Sequence, residues 1–260
     1  MRNKLKYLFT ALVCSCLVNN VKAIDTLSYQ YKTLKKASRP LITADKDTII
    51  STIELSYPVF KTPLWNEQVK QLIFNNEVEK PSFETYNDYL DGFIKASVEA
   101  NAEEGDYPRS WYQEINVRVE PQFAGTQTIS LSLNTTNYTG GAHPNSSLIF
   151  VNYDLFSKKL ITLSNLINPV MMTRLTYIGS TIFRKQEGLS PTQSLENYFF
   201  ENQKFALNSN FLITKNGLLF YYNPYEIRSY AEGPMELLIP YSAIGALLKI
   251  NPYLPKNHNK

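Results

Sequence analysis

Cysteine is almost missing from this 260-residue chain: Cys14 and Cys16 stand near its start and no other occurs. Histidine is as scarce, with His143 inside the chain and His258 in its tail. A catalytic zinc site draws on two or three histidines or thiolates beside a carboxylate, so one internal histidine argues against zinc. No Gly-x-Ser-x-Gly elbow is present, which removes the usual hydrolase nucleophile. No acidic loop has EF-hand spacing. No metal or cofactor is expected. No apolar run is long enough for a comfortable transmembrane helix, the longest being the 12 residues Tyr7 to Val18. Repeats and low-complexity tracts are absent too.

That apolar run has a different meaning. Arg2, Lys4 and Lys6 precede it, and Val21-Lys22-Ala23 follows as a small-residue cleavage site. This is the layout of a secretory signal peptide over 1–23. Cleavage after Ala23 removes both cysteines, so the mature chain has neither disulfides nor thiolate ligands. An alternative is lipoprotein processing within Val13-Cys14-Ser15-Cys16, with Cys16 as the lipidated residue. Either way the expected compartment is outside the cytoplasm, periplasmic or secreted, with no membrane span after processing beyond a lipid anchor. The leader holds four of the 26 basic residues and no acid, which leaves 22 against 23 acidic ones. A formal charge of −1 offers no electrostatic case for nucleic acid.

What the chain does have is aromatic surface: 18 tyrosines and 14 phenylalanines. Tyrosine suits half-buried positions with a polar tip in water. Residues 24–48 read as a polar linker leading to an early strand, and 49–147 and 148–250 as two halves before a fraying tail, 251–260. Ile53, Leu55, Tyr57 and Val59 alternate with polar residues, a strand with Pro58 at an edge or near its end. Trp65, Val69, Leu72 and Ile73 share a helical face after Pro63, and Pro81 closes that helix. Tyr86, Leu90, Phe93, Ile94 and Val98 mark a second helix, with Ser82 or Thr85 as cap, ending at an acidic 103–106 run. Strands follow over 114–120 and 128–138, turned at Gly125, and then over 147–155. Asn168-Pro169 starts a helix carrying Met171, Leu175, Ile178 and Ile182, and a short helix is expected near 195–199. Asn216-Gly217 joins two strands as a hairpin, and 237–239 and 241–248 read as a last strand and helix. The pattern is α+β: antiparallel sheet with helices packed on it, in two sub-halves.

The organising stretch is Asn137-Tyr138-Thr139-Gly140-Gly141-Ala142-His143-Pro144. Two glycines tolerate positive φ, and Pro144 biases His143 toward extended backbone. The loop is thus either a plain turn with a locally bonded histidine or a stiff recognition loop presenting an imidazole. A second cluster runs from Tyr221-Tyr222-Asn223-Pro224-Tyr225-Glu226 to Tyr230. Such rings serve recognition faces and sheet packing alike.

These motifs, with Asn152-Tyr153-Asp154-Leu155, Tyr230-Ala231-Glu232-Gly233-Pro234 and Ile239-Pro240-Tyr241, resemble the RsiV-like domain family. That family includes the extracytoplasmic part of a lysozyme-sensing anti-sigma factor and the non-catalytic N-terminal part of the peptidoglycan deacetylase PdaC. The resemblance covers about residues 49–250 and implies a non-catalytic α+β domain, PdaC-like in its first half and RsiV-like in its second. It implies as partner a lysozyme-like protein or peptidoglycan. Tyr138, Gly140, Gly141, His143, Tyr222, Tyr225, Glu226 and Tyr230 are the expected binding residues. Only six residues precede the apolar run, too few for a sigma-factor-holding segment.

The alternative is a carbohydrate-active enzyme on peptidoglycan or chitooligosaccharide, which needs two carboxylates at a set separation. Asp154 and Glu226 are its candidates, against plain structural roles at a strand end and in a loop. A serine paired with His143 stays formally open. A third reading is an envelope protein that pairs with its own copies.

Overall fold

The computed structural model describes residues 27–43, 45–75, 83–103, 109–121 and 126–255. The leader with Cys16, the boundary at Pro81 and Ser82, residues 104–106, the Gly125 turn and the last five residues lie outside the described residues.

The first half is a five-stranded sheet of Tyr29–Ala37 (β1), Thr52–Phe60 (β4), Tyr112–Val119 (β5), Thr128–Tyr138 (β6) and Asn145–Asp154 (β7), side by side in that order. Strand β1 is Tyr29–Ala37 and pairs antiparallel with β4, Thr52–Phe60. So the polar stretch read as a linker holds a nine-residue edge strand. Its alternation is hidden because few of its side chains are covered, and an edge strand with lysines is a common protection against edge-to-edge pairing. Between them Leu41–Ile42 (β2) and Thr48–Ile49 (β3) form a small two-stranded flap.

Strand β4 buries Ile53, Leu55 and Tyr57. At Pro58 the pattern shifts: Phe60 enters the core and Val59 is exposed, against the expected alternation. Pro58 lies beyond residues 52–56, the part of β4 that pairs with the next strand.

Two helices follow, α1 (Pro63–Phe74) and α2 (Tyr86–Glu103). Pro63 opens α1, where a missing N–H costs nothing. Trp65, Val69 and Ile73 are buried on one stripe, each contributing roughly 1.5–3 kcal/mol. Thr85 and Asp88 cap α2 reciprocally: Asp88 N–H donates to Thr85 Oγ1 at 3.1 Å and Thr85 N–H to Asp88 Oδ2 at 2.9 Å. Tyr89 and Leu90 carry its buried face, while Val98 is exposed. The helical crossover lets β5, Tyr112–Val119, pair parallel to β4, the one parallel pair in a sheet read as antiparallel. Strand β6 (Thr128–Tyr138) and β7 (Asn145–Asp154) complete the sheet antiparallel.

The second half builds its own core. A turn of helix, α3 (Leu163–Leu166), precedes a 3-10 turn opened by Asn168 and Pro169, then α4 (Met172–Gln186). Leu175 and Phe183 are fully buried, Ile178 and Ile182 pack at the margin, and Met171 is exposed. The helix expected near 195–199 is a turn; Leu195 and Phe200 are anchored in the core instead, and Phe200 sits edge-on to Phe183 at 5.4 Å. Tertiary packing overrides local propensity there.

Strands β8 (Phe211–Ile213), β9 (Gly217–Tyr222) and β10 (Met235–Pro240) form an antiparallel sheet in the order β10-β9-β8. Gly217 serves close approach: a Cβ there would meet Ile239 O at 2.2 Å. A final turn of helix, α5 (Tyr241–Ile244), passes into a 3-10 turn.

The halves meet at the free edge of β7. Side-chain amides occupy that edge. Asn210 Oδ1 accepts from Phe150 N–H at 2.8 Å, and its Nδ2 donates to Leu148 O at 2.8 Å. Asn223 Oδ1 accepts from Leu148 N–H at 2.7 Å. From β7 itself, Asn152 Nδ2 donates to Phe211 O at 2.8 Å and its Oδ1 accepts from Ile213 N–H at 3.2 Å.

The tail start does not fray as expected. Leu254 is buried, Gln127 N–H donates to Pro252 O at 2.8 Å, and Thr128 Oγ1 donates to Tyr253 O at 3.1 Å.

Candidate functional site

The β6–β7 connection is the Gly-Gly-Ala-His-Pro loop. Gly140 and Gly141 have φ of 102° and 105°, a region closed to most L-residues. A Cβ on Gly140 would also meet the Arg109 guanidinium at 2.9 Å. Tyr138, at the end of β6, donates its hydroxyl to Gly141 O at 3.0 Å, and its ring stacks on Tyr112 of β5 at 5.7 Å.

His143 leaves this loop toward the second half. Its ring stacks on Tyr230 at 3.7 Å and 14°. Its Nδ1 lies 2.9 Å from Pro144 O, so in the neutral ring Nδ1 carries the proton and donates. Nε2 is then the acceptor and faces the Tyr225 hydroxyl at 3.2 Å. Tyr230 donates its own hydroxyl to Pro144 O at 3.1 Å. The Tyr225 and Tyr230 rings lie 5.5 Å apart. Three rings from two separate loops thus form one cluster, with Tyr225 54% exposed and in left-handed backbone at φ 66°.

Supports fix the second loop. Arg228 Nη2 donates to Pro234 O at 2.7 Å and its Nε to Gly233 O at 3.1 Å. The same guanidinium lies 3.5 Å from Glu187, which also accepts from Tyr198 Oη at 2.8 Å. Burial first, and then Glu187, push the Tyr198 phenol up to about 12. Ser229 and Glu232 cap the turn reciprocally, and the Ser229 hydroxyl and N–H hold the Glu232 carboxyl below its ordinary range.

Tyr138, Gly140, Gly141, His143, Tyr225 and Tyr230 therefore gather around one region. Tyr222 stands apart: it is 1% exposed and donates to Ala206 O at 2.8 Å inside the core. Burial pushes its phenol up. Glu226 is tied to its loop, accepting from Asn223 N–H at 2.8 Å and Asn208 Nδ2 at 2.7 Å. Asp154 is tied likewise, accepting from Ser157 N–H at 2.6 Å and Phe156 N–H at 2.9 Å. Burial alone would raise its pKa, but these bonds outweigh it and hold the carboxyl below its ordinary range. Sequence reasoning missed the amides of Asn208 and Asn210 and the clamp of Arg228. The one hint of the amides is the i, i+2 spacing of Asn208-Ser209-Asn210 just before an apolar strand.

Between the His143–Tyr230 cluster and the sheet lies a cleft of about 410 Å³, lined by Asn134, Thr136, Ser146, Tyr221 and Tyr230 among others. Among the described residues no group of three or more His, Cys, Asp or Glu could hold a metal. No helix among them is long and apolar enough to cross a membrane.

Comparison with known families follows the same division. Residues 42–146 match the model described as "Deacetylase PdaC", and residues 153–242 match "Protein of unknown function (DUF3298)". The chain joins a PdaC-type domain to a DUF3298 domain, the pair found in RsiV-like and PdaC N-terminal regions, as the sequence resemblance implied. Both point to an extracytoplasmic type of domain.

Among individual proteins, the immunogenic protein MPT64 of Mycobacterium tuberculosis (strain ATCC 25618 / H37Rv) is 24% identical over 196 residues, covering 70% of this chain and 81% of that protein. MPB64 of Mycobacterium bovis matches equally. A crystal structure of a DUF3298 family member from Bacteroides fragilis covers 87% of this chain and 96% of its own, with TM-score 0.67 and 22% identity. One from Pseudomonas aeruginosa PAO1 covers 89% and 99%, with TM-score 0.68 and 17% identity. These two likenesses show the fold.

Proposed function

We propose that this chain is an exported, non-catalytic binding module of the bacterial cell envelope that recognises a protein such as lysozyme or a cell-wall glycan. One observation carries the reading: His143, Tyr225 and Tyr230, from loops of separate halves, are assembled into a partly exposed ring cluster. Rings with polar tips on a rigid base supply contact area at little entropic cost. Tyr225 holds a left-handed backbone, an arrangement a non-glycine residue keeps only where its surroundings impose it, and such positions concentrate at functional sites. The tied carboxylates of Asp154 and Glu226 favour binding over glycosidase chemistry, because each is consumed by backbone or amide donors.

The test is calorimetry of the purified chain with C-type lysozyme, alongside co-sedimentation with cell-wall sacculi. The expected result is micromolar or tighter binding to one of them, weakened tenfold or more by Tyr225→Ala or His143→Ala. Unchanged affinity in both variants would remove the cluster from the interface. No binding to either probe would overturn the reading.

A further inference from the structure

The polar face of the five-stranded sheet carries residues in transverse register. Lys35 opposes Glu54, Glu54 opposes Glu114, Glu114 opposes Thr136, and Thr136 opposes Ser146. Directly opposed residues share a face, so these five side chains form one row across all five strands. The neighbouring row is also polar over most of its length: Thr33, Ser56, Asn116 and Asn134, ending at Leu148. On the other flank Thr52, Tyr112 and Tyr138 are opposed, with the two tyrosines stacked.

Two cavities lie along this row. One, of about 850 Å³, is lined by Lys35, Glu54, Tyr112, Glu114 and Thr136 among others. The other is the 410 Å³ cleft under Tyr221 and Tyr230. Both include Thr136, so the two cavities adjoin at that residue and follow one another along the row as a groove. With strands about 4.8 Å apart, it runs about 19 Å from β7 to β1.

We propose that this groove binds a linear oligosaccharide laid across the strands. It rests on the reading of the chain as an envelope binding module and names the ligand class. The floor offers short hydroxyl and amide side chains that match sugar hydroxyls and acetamido groups. Tyrosine rings stand beside it, Tyr112 stacked with Tyr138 along the flank at β5 and β6 and Tyr221 with Tyr230 at the β7 end, where sugar faces can pack. Lys35 neutralises Glu54 at 2.7 Å, while Glu114 forms no ion pair among the described residues and can accept from paired hydroxyls. An extended peptide pairs through its main chain with a sheet edge, and this groove crosses a sheet face, so it offers a peptide no ladder. A lipid chain would find no continuous apolar path.

The probe is chitohexaose, titrated calorimetrically into the full chain. The expected result is saccharide binding that Thr136→Trp, which fills the junction of the two cavities, weakens at least tenfold. Asn134→Ala and Glu114→Ala, small changes on exposed positions, should each weaken it severalfold, and circular dichroism verifies that every variant is folded. Absence of chitohexaose binding at millimolar concentration, or affinity unaffected by all three substitutions, would overturn the groove. Tyr225 lies outside the groove lining, which separates the two proposals. A chain that binds lysozyme through Tyr225 but no saccharide loses the groove and keeps the ring cluster as a contact surface. Saccharide binding lost in Thr136→Trp and retained in Tyr225→Ala supports the groove whatever the cluster does.

Discussion

Asn210 presents its side-chain amide to Phe150 as a peptide group would: its oxygen takes the Phe150 N–H at 2.8 Å while its nitrogen reaches back to the neighbouring Leu148 carbonyl. The first sheet therefore ends in a strand satisfied by side chains of the other half. Edge groups left bare beneath a packed half are costly. Asn210→Ala unpairs one donor, Phe150 N–H, and takes one bond from each of two acceptors, Leu148 O and Tyr221 O. The expected loss is about 2 kcal/mol, and in a chain of this size the melting temperature should fall by several degrees. A thermal melt indistinguishable from wild type would show that water replaces the amide without cost.

The two tyrosines at 222 and 225 should separate stability from recognition. Tyr222→Phe removes only the bond to Ala206 O, and should cost about 1 kcal/mol with binding unaltered. Tyr225→Gly removes an exposed ring and frees a left-handed backbone, so melting should not fall while partner affinity drops. Parallel melts and titrations of the two variants read this directly. The reverse pattern would place recognition in the core residue, which its burial forbids.

Acid sensitivity should trace in part to Asp154. Its folded pKa is depressed, so its bonds to Ser157 and Phe156 stabilise the fold fully above the unfolded carboxyl value of about 3.9. That contribution fades as pH drops below this value and through the lower folded pKa. Asp154→Asn keeps an acceptor but has no proton to gain. Wild type should exceed the variant in melting temperature at pH 7, and the gap should close toward pH 3. A gap that widens on acidification would contradict the assignment.

Removing residues 251–260 should destabilise both halves together. Leu254 leaves the second core, worth roughly 1.5–3 kcal/mol, and Gln127 and Thr128 lose their partners. About 3 kcal/mol in total is expected, measured by urea unfolding of the truncated chain. A midpoint within error of wild type would return the tail to the status of a fraying end.

Much of the fold was legible because burial writes a period into the chain. Ile53, Leu55 and Tyr57 alternate because one face of β4 meets helices, and Trp65, Val69 and Ile73 recur at helical spacing for the complementary reason. The edge strand β1 left no such trace, since Tyr31 is half exposed and two of its lysines are held by charge rather than by a core, Lys35 by Glu54 and Lys36 by Asp91 of α2. At the site, glycines and a lone histidine marked the loop. The sequence could not separate Tyr222 from Tyr225, three residues apart in one tyrosine-rich run. Only the sheet register turns the first inward and leaves the second beyond the strand end. The amides of Asn210 and Asn223 act on main chain, which has no sequence signature to match.

The closing contacts of the tail also have a consequence in time. Tyr253 answers Thr128 across 125 positions of sequence. A chain made or threaded from its N-terminus can pair β4 through β7 as soon as they emerge, and it can gather most of the second core once β10 has followed, with Leu254 still to come. The clasp between Thr128 and Tyr253 forms only after the strands of both sheets have appeared. Until then the Thr128 hydroxyl and the Gln127 N–H lack their partners, so the last fastening of the first sheet waits on residues that follow the strands of the second.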